Sequence, residues 1–160
     1  MYIKYIRFHF NTNVAPLKVK EKEAQRVFDD RVLEKKVVPV EIGEKLVYIP
    51  QSSVLYAEVV PHKEANELKK EITDKFTDLK NQIKETHEQV YKDPFLKEEV
   101  PINYYFSDLE YWHIMNDGGL DVGADEADAD VIIYDEPIIE QYKEIMKLRK
   151  QLTDLVGEAK

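Results

Sequence analysis

The chain of 160 residues contains no cysteine. This absence excludes a disulfide framework, a zinc site built from cysteine ligands and a thiol nucleophile. Proteins without disulfides are typical of reducing compartments, and we therefore expect a cytoplasmic protein.

Long apolar runs are missing as well. No apolar stretch approaches the roughly 18 residues that a membrane span requires. Residues 1–10 alternate between apolar and charged or polar side chains, whereas a signal peptide contains a continuous apolar core. These absences predict a protein that does not bind or cross a membrane.

Familiar catalytic and phosphate-binding patterns are also absent from the sequence. It has no glycine-rich phosphate loop, no Gly-x-Ser-x-Gly elbow and no Ser-x-x-Lys motif. The four histidines, His9, His62, His87 and His113, include no pair at the i,i+4 spacing with which a helix binds zinc. We therefore expect a protein that is not an enzyme and that needs no cofactor.

Lysine and arginine are missing from residues 98–142, which we call the acidic segment. This segment contains thirteen of the 32 aspartates and glutamates, and the rest of the chain carries nineteen acids and 23 bases. The net charge of −9 therefore consists of −13 in the acidic segment and +4 elsewhere. A net acidic chain lacks the general basic surface that nucleic-acid binders use, so we expect no direct binding to nucleic acid.

The distribution of apolar residues predicts an α+β fold. In residues 1–60, short β-branched and aromatic runs alternate with turn residues, as in a small antiparallel sheet. One short helix with an apolar stripe is predicted to pack on that sheet. The predicted strands are residues 2–10, 37–42, 45–49 and 54–60, the last three forming a meander, and the predicted helix is residues 20–35.

Residues 61–160 are predicted to contain two long amphipathic helices. One covers residues 62–93 and the other begins near Pro137, and in each of them apolar residues recur every three or four positions. A long helix with one narrow apolar stripe is unstable alone. We expect the two helices to pair as an antiparallel hairpin with an acidic insertion of about 98–136 at its tip, the whole chain forming one compact unit. The same stripes also allow a homodimer.

Within the acidic segment, large aromatic residues are mixed with the acids. Short strands or a hairpin are predicted at Ile102–Phe106 and Glu110–Met115, and a further strand at Val131–Tyr134. Residues 117–130 are rich in glycine and aspartate and are predicted to form an acidic loop.

Three interpretations of the acidic segment remain open. A solvated loop would simply keep the protein soluble. A binding face would use its carboxylates to imitate the phosphates of a nucleic acid and its aromatic side chains as anchors for a basic partner. A metal site would hold a hard cation between clustered carboxylates. Asp128 and Asp130 could share such an ion if they lie on the same side of an extended segment, but the segment lacks the spacing of an EF-hand loop.

We favour a non-enzymatic protein-binding module or inhibitor of the nucleic-acid-mimic type. Its expected partner is a basic protein surface, such as that of a nucleic-acid-processing enzyme. The alternatives are a metal-binding protein or metal-dependent hydrolase that uses the Asp cluster, and an oligomeric structural or assembly protein held by the two long helices. The predicted contact residues are aromatic or acidic members of the acidic segment: Tyr104, Tyr105, Asp108, Glu110, Tyr111, Trp112, Asp117, Asp121, Asp125, Glu126, Asp128 and Asp130.

Overall fold

The computed structural model of the chain contains two compact units. It describes residues 1–31, 34–86, 91–92, 99–100, 109–124 and 129–157. Unit 1 consists of Met1–Lys70 and Lys150–Lys160, and unit 2 consists of Glu71–Arg149. Small antiparallel sheets and three helices make up the described residues, so the predicted α+β class is confirmed.

Unit 1 contains five strands, one short helix and one end of each of the two long helices. Its three-stranded sheet has the order β2-β1-β5, and β3 and β4 form a separate hairpin. A single 3₁₀ turn, Gln51–Ser53, leads from the hairpin into the last strand. The elements are β1 Ile3–Phe10, β2 Leu17–Lys20, α1 Glu21–Asp29, β3 Val37–Ile42, β4 Lys45–Pro50 and β5 Val54–Pro61.

The core of unit 1 lies between one face of the β2-β1-β5 sheet, the apolar side of α1 and the β3–β4 hairpin. Side chains from all three parts are buried together in one cluster. The buried residues are Ile3, Ile6, Phe8, Val19, Ala24, Val27, Val38, Val40 and Ile49. Removal of this apolar area from water is the main force that stabilises the unit.

Polar side chains of α1 attach the helix to its neighbours. Gln25 accepts a hydrogen bond from the Ile3 backbone NH at 2.7 Å, next to the β-bulge in β1. Glu23 accepts one from the Glu41 backbone NH at 2.8 Å, and Arg26 donates one to the Pro39 carbonyl at 3.0 Å. These bonds satisfy backbone groups of β1 and β3 and so help to set the orientation of α1.

Unit 2 contains most of the two long helices and a second three-stranded sheet of order β10-β9-β8. A short β6–β7 pair and a 3₁₀ turn, Leu109–Tyr111, precede that sheet. The elements are α2 Lys63–Thr86, β6 Tyr91–Lys92, β7 Glu99–Val100, β8 Trp112–Ile114, β9 Leu120–Ala124, β10 Ala129–Ile133 and α3 Glu136–Val156.

Trp112 is at the centre of the packing in unit 2 and is only 3% exposed. Its ring meets Phe76 of α2 edge-on, with the ring centres 4.9 Å apart, and lies 5.9 Å from the ring of Tyr142 in α3. Leu120, Val122, Val131 and Ile133 of the neighbouring strands are also buried. One face of the sheet is therefore an apolar face turned toward the helices.

Polar contacts join the parts of α2 and α3 that belong to unit 2. Lys75 forms an ion pair with Glu144 at 3.1 Å. The side-chain amides of Gln82 and Gln141 exchange two hydrogen bonds, of 3.0 and 2.7 Å. Because the higher number in α2 meets the lower number in α3, these stretches run in opposite directions. The predicted acidic insertion at the tip of a complete helical hairpin stays a prediction.

Two predictions for unit 1 are wrong in detail. β5 pairs with β1 and not with β4, so the predicted meander of β3, β4 and β5 does not form. Pairing with β1 lets Ala57 and Val59 pack against the core cluster. The helix ends at Asp29, six residues before the predicted end, because Arg31 adopts a left-handed φ of 49° that is incompatible with a continuing helix. The strand β2 was not predicted.

In unit 2, the structure departs from the predicted helix and from the predicted acidic loop. Tyr91 and Lys92 pair with Val100 and Glu99 in a short ladder, so the helix does not extend over residues 91–92. Leu120–Ala124, predicted as loop, forms β9 in the middle of the sheet. Asp121 and Gly123 have low β-propensity, but burial of Leu120 and Val122 outweighs it. The strand predicted at 102–106 lies outside the described residues.

None of the three described helices combines the length and the apolar character needed to cross a membrane.

Candidate functional site

The face of the β10-β9-β8 sheet opposite the helices carries polar and aromatic side chains. In a ladder, residues directly opposite each other point to the same side, and alternate residues along a strand share a side. His113, Asp121 and Ile132 lie opposite one another across the three strands. This row is one residue out of phase with the buried row of Trp112 and its partners, so it lies on the other face, which we call the outer face.

Asp121 is the central residue of the outer face. It is only 7% exposed, although its neighbour His113 is largely exposed. His113 Nε2 lies 3.5 Å from Asp121 Oδ2, at hydrogen-bonding distance. The outer face thus places an exposed imidazole beside a largely buried carboxyl group.

A tight turn after β8 brings Asp117 and Tyr134 together. The Gly118 NH donates to the Met115 carbonyl at 3.0 Å, and Gly118 has a φ of 91°, a conformation that favours glycine. The Tyr134 hydroxyl donates to Asp117 Oδ2 at 2.7 Å, and the Gly119 NH donates to Asp117 Oδ1 at 3.0 Å. The phenol of Tyr134 is thus held in one orientation although 62% of the residue is exposed.

The same hydrogen bond changes the acidity of both partners. Donation from the Tyr134 hydroxyl, with a further contribution from the Gly119 NH, lowers the pKa of the Asp117 carboxyl below its usual value. The bond to Asp117 raises the pKa of the Tyr134 hydroxyl above its usual value. Asp117 is therefore a carboxylate and Tyr134 a neutral donor at neutral pH.

Gly119 makes this contact sterically feasible. A Cβ atom at this position would lie 2.8 Å from Cε1 of Tyr134 and 3.0 Å from Cγ2 of Ile132. Both distances are shorter than ordinary van der Waals contact, so any other residue would push the ring of Tyr134 away. The absence of a side chain at position 119 thus allows the tyrosine to lie across the β8–β9 turn.

The predicted contact residues are only partly within the described chain. Six of them lie outside the described residues: Tyr104, Tyr105, Asp108, Asp125, Glu126 and Asp128. Glu110 belongs to the 3₁₀ turn before β8, and Asp130 belongs to β10, opposite Gly123 of β9. Tyr111, Trp112, Asp117 and Asp121 are described in full.

These four residues have different surroundings. Tyr111 is exposed and lies directly before β8, and Asp117 is exposed in the turn that follows. Trp112 is buried on the helix-facing side, so we assign it to the packing of unit 2 and omit it from the proposed contact surface. Asp121 lies on the outer face but exposes only a small part of its area.

Sequence reasoning omitted three outer-face residues from the contact set: His113, Ile132 and Tyr134. Ile132 and Tyr134 are both exposed although they follow the buried Val131 and Ile133. The alternation of residues 131–134 is visible in the sequence and indicates a strand with one exposed face. Which residues lie beside that face depends on the pairing with β9, whose register the sequence does not specify.

Asp121 and His113 form the only acid–histidine contact on the outer face among the described side chains. In the part of the chain that the structure describes, no three histidine, aspartate or glutamate side chains converge in a group suited to a metal ion. Of the pair Asp128 and Asp130 considered above as a metal site, Asp128 lies outside the described residues, so the pair stays a prediction.

Comparison with protein-family models, with curated proteins and with solved structures gives no match to this chain. Its function is therefore inferred from its own residues.

Proposed function

We propose that this chain is a non-enzymatic protein-binding module or inhibitor that presents an acidic and aromatic surface to a basic partner. The proposed surface consists of the outer face of the β10-β9-β8 sheet together with the acidic residues of the insertion between α2 and α3. The proposed partner is a protein with a basic groove, such as a nucleic-acid-processing enzyme.

The observation that carries this proposal is the Asp117–Tyr134 pair within a segment that has thirteen acids and no lysine or arginine. An exposed tyrosine that is already fixed by a hydrogen bond loses little conformational entropy when a partner covers it. Tyrosine is also among the residues that most often dominate binding energy at interfaces. The pair therefore offers an oriented aromatic anchor beside a carboxylate.

The charge distribution supports a basic partner over a neutral one. Exposed surfaces of soluble proteins normally mix both signs of charge, whereas the acidic segment has a net charge of −13. A field of one sign accelerates association with a surface of the opposite sign and disfavours partners of the same sign. Such binding weakens as salt screens the exposed charges.

A pair of charge-reversal variants tests this proposal. The first replaces Asp125, Glu126 and Asp128 by lysine, and the control replaces Glu34, Glu44 and Asp154, which are exposed acids outside the segment. Both variants change the net charge by the same amount. Asp121 is retained because reversal of a buried charge would unfold the sheet.

The readout is capture of basic proteins from a cell extract on immobilised wild type, followed by elution with double-stranded oligonucleotide. We expect wild type and control to retain a protein that the oligonucleotide and moderate salt release, and the segment variant to retain none. Tyr134→Ala is expected to weaken retention roughly tenfold or more, which corresponds to the usual cost of removing an interface anchor. Equal retention by a folded segment variant contradicts the proposal.

A further inference from the structure

The exposed face of the other three-stranded sheet, β2-β1-β5 in unit 1, carries a different set of side chains. Three cross-strand rows follow from the register. Tyr5 lies between Lys20 and Val60, Arg7 lies between Lys18 and Glu58, and His9 lies opposite Tyr56. None of these residues belongs to the buried cluster of unit 1, so they form the solvent side of the sheet.

Two aromatic groups on this face are oriented by their neighbours. The rings of His9 and Tyr56 stack with their centres 4.2 Å apart and an angle of 16° between their planes. Tyr56 is 53% exposed, so this stack is open to solvent. Lys18 Nζ lies 4.0 Å from the centre of the Tyr5 ring, and Arg7 Cζ lies 5.5 Å from it.

Basic side chains outnumber acids on this face. Arg7, Lys18 and Lys20 are cations, and Glu58 is the one acid in the three rows. Glu58 Oε2 lies 3.6 Å from Arg7 Nη1 and 3.4 Å from His9 Nε2, so Glu58 orients these two side chains. Lys18 and Lys20 are exposed at the β2 edge, and they leave a net positive charge beside the aromatic stack.

We propose that the outer surface of the β2-β1-β5 sheet binds single-stranded nucleic acid. Sequence-tolerant single-strand binding requires a positively charged track for the phosphates and aromatic faces on which bases stack. Lys18 and Lys20 supply the charges, and Tyr56, supported by His9, supplies the stacking face. An antiparallel sheet with exposed aromatic side chains is also a general platform for unpaired bases.

The acidic net charge of the chain disfavours binding to nucleic acid, but that charge is not distributed evenly along the chain. The −13 of the acidic segment is offset by +4 in the remaining residues. The sheet face of unit 1 belongs to those remaining residues. Local charge at a surface determines its contact with phosphates within about one Debye length, roughly 8 to 10 Å at physiological salt.

Fluorescence anisotropy with a labelled oligothymidylate of about 12 nucleotides, a length within the usual range of such sites, tests the inference. We expect the logarithm of the association constant to fall against the logarithm of the salt concentration with a slope of about −1.4, since Lys18 and Lys20 neutralise two phosphates of a single strand. Lys18→Glu with Lys20→Glu should weaken binding at least tenfold and bring this slope to about zero.

Tyr56→Ala tests the stacking contribution separately. It should weaken binding roughly 5- to 150-fold, because stacking of one base contributes about 1–3 kcal/mol. The matched controls are Lys35→Glu with Lys36→Glu, exposed lysines of unit 1 outside the sheet, and Tyr48→Ala, a tyrosine that is 64% exposed on the β3–β4 hairpin. Both controls should bind as the wild type does.

Three outcomes would overturn the inference. In the first, the wild type does not bind the oligonucleotide at low salt, and in the second, the sheet variants and their controls weaken binding equally. In the third, the wild type binds no oligonucleotide but self-associates in sedimentation, and Lys18→Glu with Lys20→Glu abolishes this self-association. The sheet face would then bind the acidic segment of a second copy. If the lysine variant is unfolded by circular dichroism, Tyr56→Ala alone decides, since its side chain is exposed.

Discussion

The hydroxyl group of Tyr142 in α3 donates a hydrogen bond of 2.6 Å to the main-chain carbonyl oxygen of Trp112 at the start of β8. Both residues are almost completely buried. Burial also raises the pKa of the Tyr142 hydroxyl above its usual value, so it remains a donor at neutral pH. The bond therefore connects the helix to the sheet that carries the proposed contact surface.

Removal of this hydroxyl by Tyr142→Phe is expected to reduce the free energy of unfolding by about 1–3 kcal/mol, because the buried carbonyl of Trp112 loses its donor. Tyr134→Phe is the matched control: it also removes a tyrosine hydroxyl bond, but at an exposed site, and should change stability by less than about 0.5 kcal/mol. Urea unfolding of the two variants measures the difference. Equal losses in the two variants would show that burial of the Tyr142–Trp112 hydrogen bond adds nothing to the free energy of unfolding.

Gly119→Ala should displace the ring of Tyr134, since the added methyl group would lie 2.8 Å from it. We expect a loss of roughly 1 kcal/mol in stability and a return of the pKa of Tyr134 toward its ordinary value of about 10. Nuclear magnetic resonance of carbon-labelled tyrosine follows that titration. Combining the change with Tyr134→Ala should restore most of the lost stability, and an unchanged tyrosine titration would refute the steric explanation.

The Glu23–Arg26 pair predicts a defined pH dependence. Hydrogen bonding to Arg26 lowers the pKa of Glu23, so the folded chain binds this proton less tightly than the unfolded chain does. The stabilisation is therefore fully present above the unfolded-state pKa of about 4.3 and is lost as pH falls through the lower folded-state pKa.

Urea unfolding between about pH 3 and pH 6, a range that brackets the usual glutamate pKa, measures this dependence. The free energy of unfolding of the wild type should fall more steeply toward acid than that of Glu23→Gln. Arg26→Gln removes the partner and should show the same reduced slope as Glu23→Gln. At neutral pH each variant should be less stable by roughly 0.5–1 kcal/mol after solvent screening. Parallel curves for all three proteins would contradict the assignment.

Leu79 of α2 is completely buried within a single chain. Leu79→Ala is therefore expected to cost about 2–5 kcal/mol, and the loss should not depend on protein concentration. The half-buried Leu148 of α3 is the control, and its replacement by alanine should cost less. Urea unfolding at several protein concentrations checks this, since a homodimer held by the α2 stripe would show concentration-dependent stability.

The local elements of unit 1 and the two long helices follow closely from residue patterns. The predicted strands at 37–42 and 45–49 correspond to β3 Val37–Ile42 and β4 Lys45–Pro50. Gly43, with a φ of 61°, occupies the two-residue turn between them. α3 begins at Glu136, one residue before Pro137, as expected from the preference of proline for the first helical turn.

The candidate site was less predictable because it depends on pairing between distant residues. Leu120–Ala124 contains Asp121 and Gly123, which locally favour a loop, and only its position between β8 and β10 makes it a central strand. Trp112 and Tyr134 are both aromatic members of the same segment, yet one is 3% exposed and the other is 62% exposed. Composition does not distinguish them, since the register of the sheet determines which face each residue occupies.

The sequence alone determined the absence of cysteine chemistry, the separation of charge into −13 and +4, and the positions of most helices and strands. These properties depend on residue identity and on spacing over a few turns. Tertiary structure alone decided that β5 pairs with β1, that Trp112 packs in the interior and that Asp117 meets Tyr134. Such contacts join residues far apart in the chain, where burial and ladder geometry outweigh local preference.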